Sequence, residues 1–273
     1  MTYNIRYNNP EDGINAWPNR KERVAEMIGS RYQADLAGLQ EALREQIDDL
    51  DALLPDYDWI GVGREDGQDK GEFTPIFYRT DRFELLESKT FWLSETPDVP
   101  GSKSWDAAIT RIVTRALFRD RQSGREFYHF NTHFDHRGEQ ARVESTKLLL
   151  KRVREVSAET PVIVTGDLNF RETTEGYQIL VGNHLTFEIS SGLVDTRYVA
   201  VGEPQGPDST SNNWEELRPG ARIDYVFVGR RMEVLSHQTL DDRYEGRFPS
   251  DHLPILVELR LEPAGSAVPS SSQ

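Results

Sequence analysis

The chain has 273 residues, 37% of them hydrophobic and 29% charged, with 14 prolines and 20 glycines, a composition that excludes a disordered chain. Its net charge of −14 disfavours non-specific duplex binding, and the absence of cysteine excludes disulfides, thiolate metal sites and a cysteine nucleophile. No apolar run reaches the roughly eighteen residues of a membrane span, and Met1–Asn4 has neither part of a signal peptide. A soluble monomer is expected, either cytoplasmic or exported with a leader upstream.

Thr2–Arg6 reads as the second half of a strand, with further residues expected before it. A helix is expected over Arg20–Arg31, then a short buried strand over Ala34–Glu41 with Glu41 at its end, then a helix over Gln46–Leu54 stopped by Pro55. Strand-like runs follow at Trp59–Val62, Thr74–Tyr78, Phe83–Leu93, Ile109–Phe118 and Arg125–His133. Gln140–Val156 is the clearest helix, because Val143, Leu148, Leu149 and Val153 recur at about 3.6-residue spacing with charges opposite. The continuous apolar run Pro161–Thr165 marks a strand covered on both faces, ended by Gly166-Asp167-Leu168-Asn169. A polar stretch over Gly202–Pro219 precedes strands at Arg222–Val228 and Leu253–Leu261. Pro263–Gln273 reads as a disordered tail, which puts the folded domain at residues 1–262.

Strands outnumber helices and alternate with them irregularly, and neither GxGxxG nor a P-loop occurs, which argues against dinucleotide-binding and NTPase domains. Two sheets packed face to face with helices outside accommodate the pattern.

Chemistry-bearing residues gather at strand ends. An extended backbone after the Pro161–Thr165 strand points Asp167 and Asn169 to one side of the sheet end, although Gly-Asp-Leu-Asn is also an ordinary turn sequence. Asp224 interrupts a strand made for burial, Ile223-Asp224-Tyr225-Val226-Phe227, and a buried carboxylate is costly without a partner. An imidazole is the natural one, and Asp251-His252 stands just before the last strand. Asn131-Thr132-His133 ends another strand, and Glu41 and Asn4 add a carboxylate and an amide. Asp135 and His136 equally suit capping of the next helix; His129, His184 and His237 read as structural. Trp17, Trp92, Trp105 and Trp214 with many carboxylates raise carbohydrate binding, but core packing suffices for most tryptophans.

Asn4, Leu39-Gln40-Glu41, Asn131-Thr132-His133, Gly166-Asp167-Leu168-Asn169, Arg222-Ile223-Asp224-Tyr225 and Ser250-Asp251-His252 stand in an order and spacing that resembles the endonuclease/exonuclease/phosphatase superfamily. The resemblance spans residues 4 to 254, and Gly71–Tyr78 and Phe91–Pro97 are similar to a bacterial subgroup. It implies an α/β fold, the deoxyribonuclease I-like four-layer α/β-sandwich, with two mixed β-sheets face to face and helices outside. It implies Mg²⁺ or Mn²⁺ at Glu41, with Asn4 and Asp251 beside it, and Asp167 and Asn169 on the attacking water and phosphoryl oxygens. His133 and His252, the latter backed by Asp224, would flank the phosphate, and Arg111 would face it, with Arg115 competing for that place. Arg6 stands where some nuclease members carry an acid, and reads either as a substrate contact or as a plain strand residue.

These roles suit the chemistry: a hard cation on oxygen ligands neutralises phosphoryl charge, imidazolium, arginine and amide donors stabilise what builds up, and Asp167 takes the proton of the water. The expected activity is therefore metal-assisted hydrolysis of a phosphoester, first a phosphodiester, with a sugar or nucleotide phosphomonoester as the alternative. A non-catalytic or carbohydrate-cleaving protein on the same scaffold ranks below both. The charge balance favours a small or sparsely charged substrate; nucleic acid would need a local basic groove from Arg6, Arg20, Arg111 and Arg142.

Overall fold

The computed structural model describes residues 1–157, 160–182 and 193–261, so His184 and the tail Pro263–Gln273 lie outside the described residues. The chain opens with β1 (Thr2–Asn4), α1 (Lys21–Glu26), continued by a π turn over Met27–Arg31, β2 (Leu36–Gln40) and α2 (Arg44–Leu53). Strands β3 (Tyr57–Ile60), β4 (Ile76–Arg79), β5 (Phe83–Trp92), β6 (Ile112–Asp120) and β7 (Glu126–His133) lead to α3 (Glu139–Val156) and β8 (Val162–Asp167). The last third holds α4 (Glu175–Leu180), β9 (Val194–Asp195), α5 (Thr196–Val199), β10 (Asp224–Val228), β11 (Met232–Thr239) and β12 (Ile255–Leu261).

These strands form two six-stranded mixed sheets, ordered β11-β12-β1-β2-β4-β3 and β5-β6-β7-β8-β10-β9. Parallel pairing occurs at β1–β2 and at β7–β8, the centres of the two sheets. Three apolar clusters give four layers. Tyr3, Ile5, Leu39 and Phe77 pack under α1 and α2; Phe130, Val164, Tyr225 and Phe227 pack under α3 and α4; Ile76, Phe118, Ile163 and Val226 fill the space between the sheets. The expected four-layer sandwich is what the chain forms.

Alternation along β10 sends Tyr225 and Phe227 to the helix side and leaves Asp224 and Val226 facing the other sheet. In α3 the buried stripe is Ala141, Ser145, Leu149 and Val153, while Val143 and Leu148 only flank it. Four elements escaped the hydrophobic pattern: α4, β9 and α5 have six residues or fewer, and β11 turns polar residues, His237 and Thr239, to its buried face.

Part of the space between the sheets is polar. Gln40 Nε2 donates to Asn131 Oδ1 (2.7 Å), Thr165 Oγ1 donates to the same oxygen (3.0 Å), and His129 Nε2 lies 2.8 Å from Thr165 Oγ1. Asn131 therefore ties the sheets together rather than lining the strand end. Gly38 permits this approach, because a Cβ there would sit 2.4 Å from Thr165 Oγ1 and 2.6 Å from Asn131 Oδ1.

Both remaining structural histidines are neutral fixtures: burial lowers the pKa of His129 and of His237 to about 3, and His237 Nδ1 lies 2.9 Å from Thr196 Oγ1. Between about pH 3 and pH 6.5 the unfolded chain binds more protons at these positions than the folded one. Stability from them is thus complete above about pH 6.5 and falls as pH drops, by about 1.4 kcal/mol per pH unit per histidine. His129→Gln, which retains a partner for Thr165 without titrating, is expected to flatten the decline in denaturant-unfolding free energy between pH 6.5 and pH 4. An unchanged slope would show that His129 is not buried neutral.

Candidate active site

The residues singled out from the sequence meet at one end of the two sheets, and strand register explains why. In the second sheet His133, Asp167 and Asp224 lie side by side, because β7 pairs with β8 as His133↔Asp167 and β8 with β10 as Asp167↔Asp224. Gly166 lets β8 press against β7, since a Cβ there would meet Thr132 O at 2.3 Å. In the first sheet Asn4 pairs with Gln40, and Glu41 follows at a left-handed φ of 61° that turns it out of β2. His252 stands just before β12.

Asp167 Oδ2 is the meeting point. Asn4 Nδ2 donates to it at 3.0 Å and to Glu41 Oε1 at 3.1 Å; His133 Nε2 lies 3.4 Å away and His252 Nε2 3.8 Å away. His252 Nδ1 donates to Asp224 Oδ2 at 2.8 Å, as the partnerless charge in β10 required. Asp251 neighbours Glu41, Arg6 and Arg20.

One expectation about geometry needs correction. Asn169 does not continue an extended strand: its φ is 50°, and its backbone N–H donates to Asp167 Oδ1 at 2.9 Å, closing a local turn. The turn swings the Asn169 amide onto His133 Nε2 (3.0 Å) and Phe134 O (3.1 Å). Because that amide donates to Nε2, the His133 ring proton sits on Nδ1, facing the Glu72 carboxylate at 4.0 Å.

Environment drives the two imidazoles apart. Burial opposes a charged His252, but Asp224, then Asp167 and Asp251, outweigh it and lift its pKa well above the ordinary imidazole value. His133 is held well below that value by burial and by Arg111 and Arg64. Burial and the Asp224 charge push the Asp167 carboxyl up to about 7, against the pull of His252 and the hydrogen bonds from Asn169 and Asn4. The site thus pairs a cationic and a neutral imidazole around a carboxyl poised near neutrality, an arrangement associated with proton transfer.

Arg111 is buried beside these groups, with Nη2 at 3.2 Å from His136 Nδ1, while Nε and Nη1 make no hydrogen bond and Nε stands 4.0 Å from Asp135 Oδ2. Arg115 does not compete: it pairs with Glu87 and lies over the Tyr128 ring. Asp135 accepts from the backbone N–H groups of Ala108, Ile109, Arg137 and Gly138, so it fixes loops rather than reacting. Arg6 leaves β1 at φ 55° and pairs with Asp12 at 3.0 Å, with Glu41 4.0 Å away. The proposed basic groove does not form. Arg20 is buried among the carbonyls of Ile5, Arg6, Asn15 and Pro249, and Arg142 donates to Asp135 O. Arg20, flanked by the rings of Trp17 and Trp214, instead ties the backbone after Asn4 to the backbone before Asp251.

Glu72 and Arg64 were not foreseen. Their side chains pair at 2.6 Å, and with Arg111 and His133 they line a common pocket. The only sequence signal was the quoted segment Gly71–Tyr78, which carried no role for Glu72. Trp17 and Trp92 are core residues, their indole N–H groups bound to Asp49 and to Arg64 O; Trp105 and Trp214 are half-buried at left-handed φ.

The donor set suits a hard divalent cation. Glu41, His133 and Asp167 offer ligand atoms within 4.8 Å of one another, and the half-buried Asp251 adds a carboxyl whose pKa is raised by desolvation and then by Glu41. Crowded oxygen donors with Arg6, Arg20 and Arg111 partly neutralising them match the preferences of Mg²⁺ or Mn²⁺.

Fold and site together are those of a deoxyribonuclease I-like hydrolase. The chain belongs to the Endonuclease/Exonuclease/phosphatase family, whose model matches residues 1–252. The endonuclease/exonuclease/phosphatase from Bacteroides vulgatus is 40% identical, with a TM-score of 0.88, the match covering 96% of this chain and 97% of that one. The mannosyl-6-phosphatase Bt3783 of Bacteroides thetaiotaomicron is 38% identical, with a TM-score of 0.87, covering 95% and 98%. Among curated relatives, an uncharacterized protein of Acanthamoeba polyphaga mimivirus is 23% identical over 78% of this chain, which matches 36% of that protein's length. Among the described residues no helix is long and apolar enough to cross a membrane.

Proposed function

We propose that the chain is a divalent-metal-dependent phosphoesterase that removes the terminal phosphate from a small phosphorylated sugar. The observation that carries the hydrolytic reading is the convergence of Asn4, His133 and His252 on Asp167 Oδ2, with Glu41 alongside. The sequence alone ranked a phosphodiester first. Likeness to a mannosyl-6-phosphatase along nearly the whole chain, and the absence of an open groove from Arg6, Arg20 and Arg142, favour the monoester.

Glu41, Asn4 and Asp251 would hold the cation, which when bound neutralises charge on the phosphoryl group. Asp167 accepts a proton from the attacking water. His252, kept cationic by Asp224, presents Nε2–H to phosphoryl oxygen, and the hydrogen-bonded pair Asn169 and His133 flanks the phosphate beside Asp167. Arg111, whose Nε and Nη1 make no hydrogen bond, supplies further donors, which suits a dianionic monoester better than a singly charged diester.

Phosphate release from mannose 6-phosphate and other hexose phosphates, measured beside hydrolysis of bis(p-nitrophenyl) phosphate, tests this reading. Monoester kcat/KM is expected to exceed that of the diester by about tenfold or more, with EDTA abolishing both activities and Mg²⁺ restoring them. Faster diester cleavage would return the phosphodiester to first place. Activity untouched by EDTA would remove the metal.

A further inference from the structure

The turn after β7 leaves one imidazole free of any structural duty. Capping of α3 falls to its neighbours: Asp135 accepts from the backbone N–H groups of Arg137 and Gly138, and Asp106 from those of Gln140 and Ala141. His136 is exposed, takes no part in that cap, and turns its ring onto Arg111 instead, with Nδ1 3.2 Å from Nη2. Among the described residues this is the only hydrogen bond of the Arg111 side chain, whose Nε and Nη1 make none.

An arginine only donates, so Nδ1 is the lone-pair nitrogen of a neutral ring and the ring proton sits on Nε2. Desolvation, then Arg111, with Arg137 adding to them, lowers the His136 pKa against the pull of Asp135 and Glu41, in keeping with a neutral ring. The chain thus holds this buried guanidinium with a neutral acceptor, although it holds others with carboxylates. Arg222 Nη2 donates to both oxygens of Asp195 at 2.7 and 2.8 Å, and Arg64 pairs with Glu72 at 2.6 Å. Beside Arg111, Asp135 Oδ2 stands 4.0 Å from Nε and already accepts from the N–H groups of Ala108 and Ile109.

A carboxylate in hydrogen-bond contact offsets much of a guanidinium's charge and competes with an incoming anion for its N–H groups. An imidazole lone pair fixes the direction of one N–H and leaves the charge in place. We infer, resting on the phosphoesterase reading of the site, that His136 is a positioning residue for Arg111: its neutral Nδ1 aims the guanidinium into the pocket shared with His133 and leaves the full positive charge to a dianionic phosphate. His136 acts on phosphate binding through Arg111 and not on the proton transfer at Asp167, so its loss is felt in KM more than in kcat.

The two parts of this role separate by substitution. His136→Asn and His136→Asp both put an oxygen close to the place of Nδ1 and differ in charge alone, whereas His136→Ala removes the acceptor. Equilibrium dialysis against inorganic phosphate in neutral Mg²⁺ buffer reads Kd, beside the kinetics of hexose phosphate hydrolysis. His136→Asn is expected to bind phosphate within about threefold of the wild type, and His136→Ala and His136→Asp each about tenfold or more weakly, with KM following Kd and kcat changing less. Equal phosphate affinity in the asparagine and aspartate variants, or wild-type affinity in the alanine variant, would overturn the assignment. A wild type that binds no phosphate would overturn it together with the phosphoesterase reading. Binding in the expected order without hydrolysis of any phosphoester would uphold the role of His136 and remove the activity.

Discussion

Asp167→Asn is expected to lower kcat by about 10³-fold or more while leaving the fold intact. Asparagine keeps one oxygen, so it accepts from either the Asn169 backbone N–H or the Asn4 amide but not from both, and it cannot take a proton from water. The same change should raise stability. Burial and Asp224 push the Asp167 carboxyl up to about 7, above its unfolded value of 3.8, so the folded chain binds more protons than the unfolded one between those limits. Stability from this group is therefore full at low pH and lost as pH rises through about 7, and the amide removes that loss. In metal-free buffer at pH 8, Asp167→Asn should show a Tm at or above that of the wild type. Near-normal turnover in a well-folded variant would remove Asp167 from the reaction.

Asp224→Asn is the second large effect, expected at about 10²-fold in kcat or more. The Asp224 charge, hydrogen-bonded to His252 Nδ1 at 2.8 Å, does most to keep that imidazole cationic despite burial. Asparagine in its place lets the His252 pKa fall. Because a protonated His252 is the active form, the alkaline limb of the kcat profile should move to lower pH, and part of the lost activity should return in more acid buffer. His252→Ala behaves differently: it removes the donor outright and strands a buried carboxylate, so it should also cost about 3 kcal/mol or more of stability. A pH profile identical to the wild type in Asp224→Asn would show that Asp224 does not act through His252.

Much of this centre was legible in the sequence because it sits on strands. A continuous apolar run located β8, and its end located Asp167; a lone carboxylate in a burial-patterned strand located Asp224 and called for an imidazole. Six ordered motifs then gave the fold. What escaped depended on loops whose shape is fixed by distant contacts. Glu72 reaches His133 because the Ala42↔Phe73 bridge and the bond from Trp92 Nε1 to Arg64 O hold the loop over residues 63–73, and no local pattern carries that information. Asn169 was placed on an extended backbone, whereas an Asp side chain capping its N–H two residues on makes a turn. Arg20 looked like surface charge because nothing in its neighbourhood announces a cage of backbone carbonyls. β11 was overlooked because its buried face is polar.

The same physics separates the positions that bind from those that only hold. The side-chain donors of Asn131, Thr165 and Gln40 are all used between the sheets and leave none for a ligand, while Arg111 keeps Nε and Nη1 without hydrogen bonds in the pocket shared with Glu72 and His133. Buried polar groups are normally paired, so the Arg111 donors beside His133 are where a substrate would complete the bonding.

The most direct test combines Asp167→Asn with Asp224→Asn and reads kcat for phosphate release beside the two single variants. Groups that serve one reacting phosphate fail together, so the double variant is expected to retain about the activity of the weaker single variant. Losses that multiply, giving roughly 10⁵-fold from about 10³ and 10², would mean that the two carboxylates act independently and that no common centre exists.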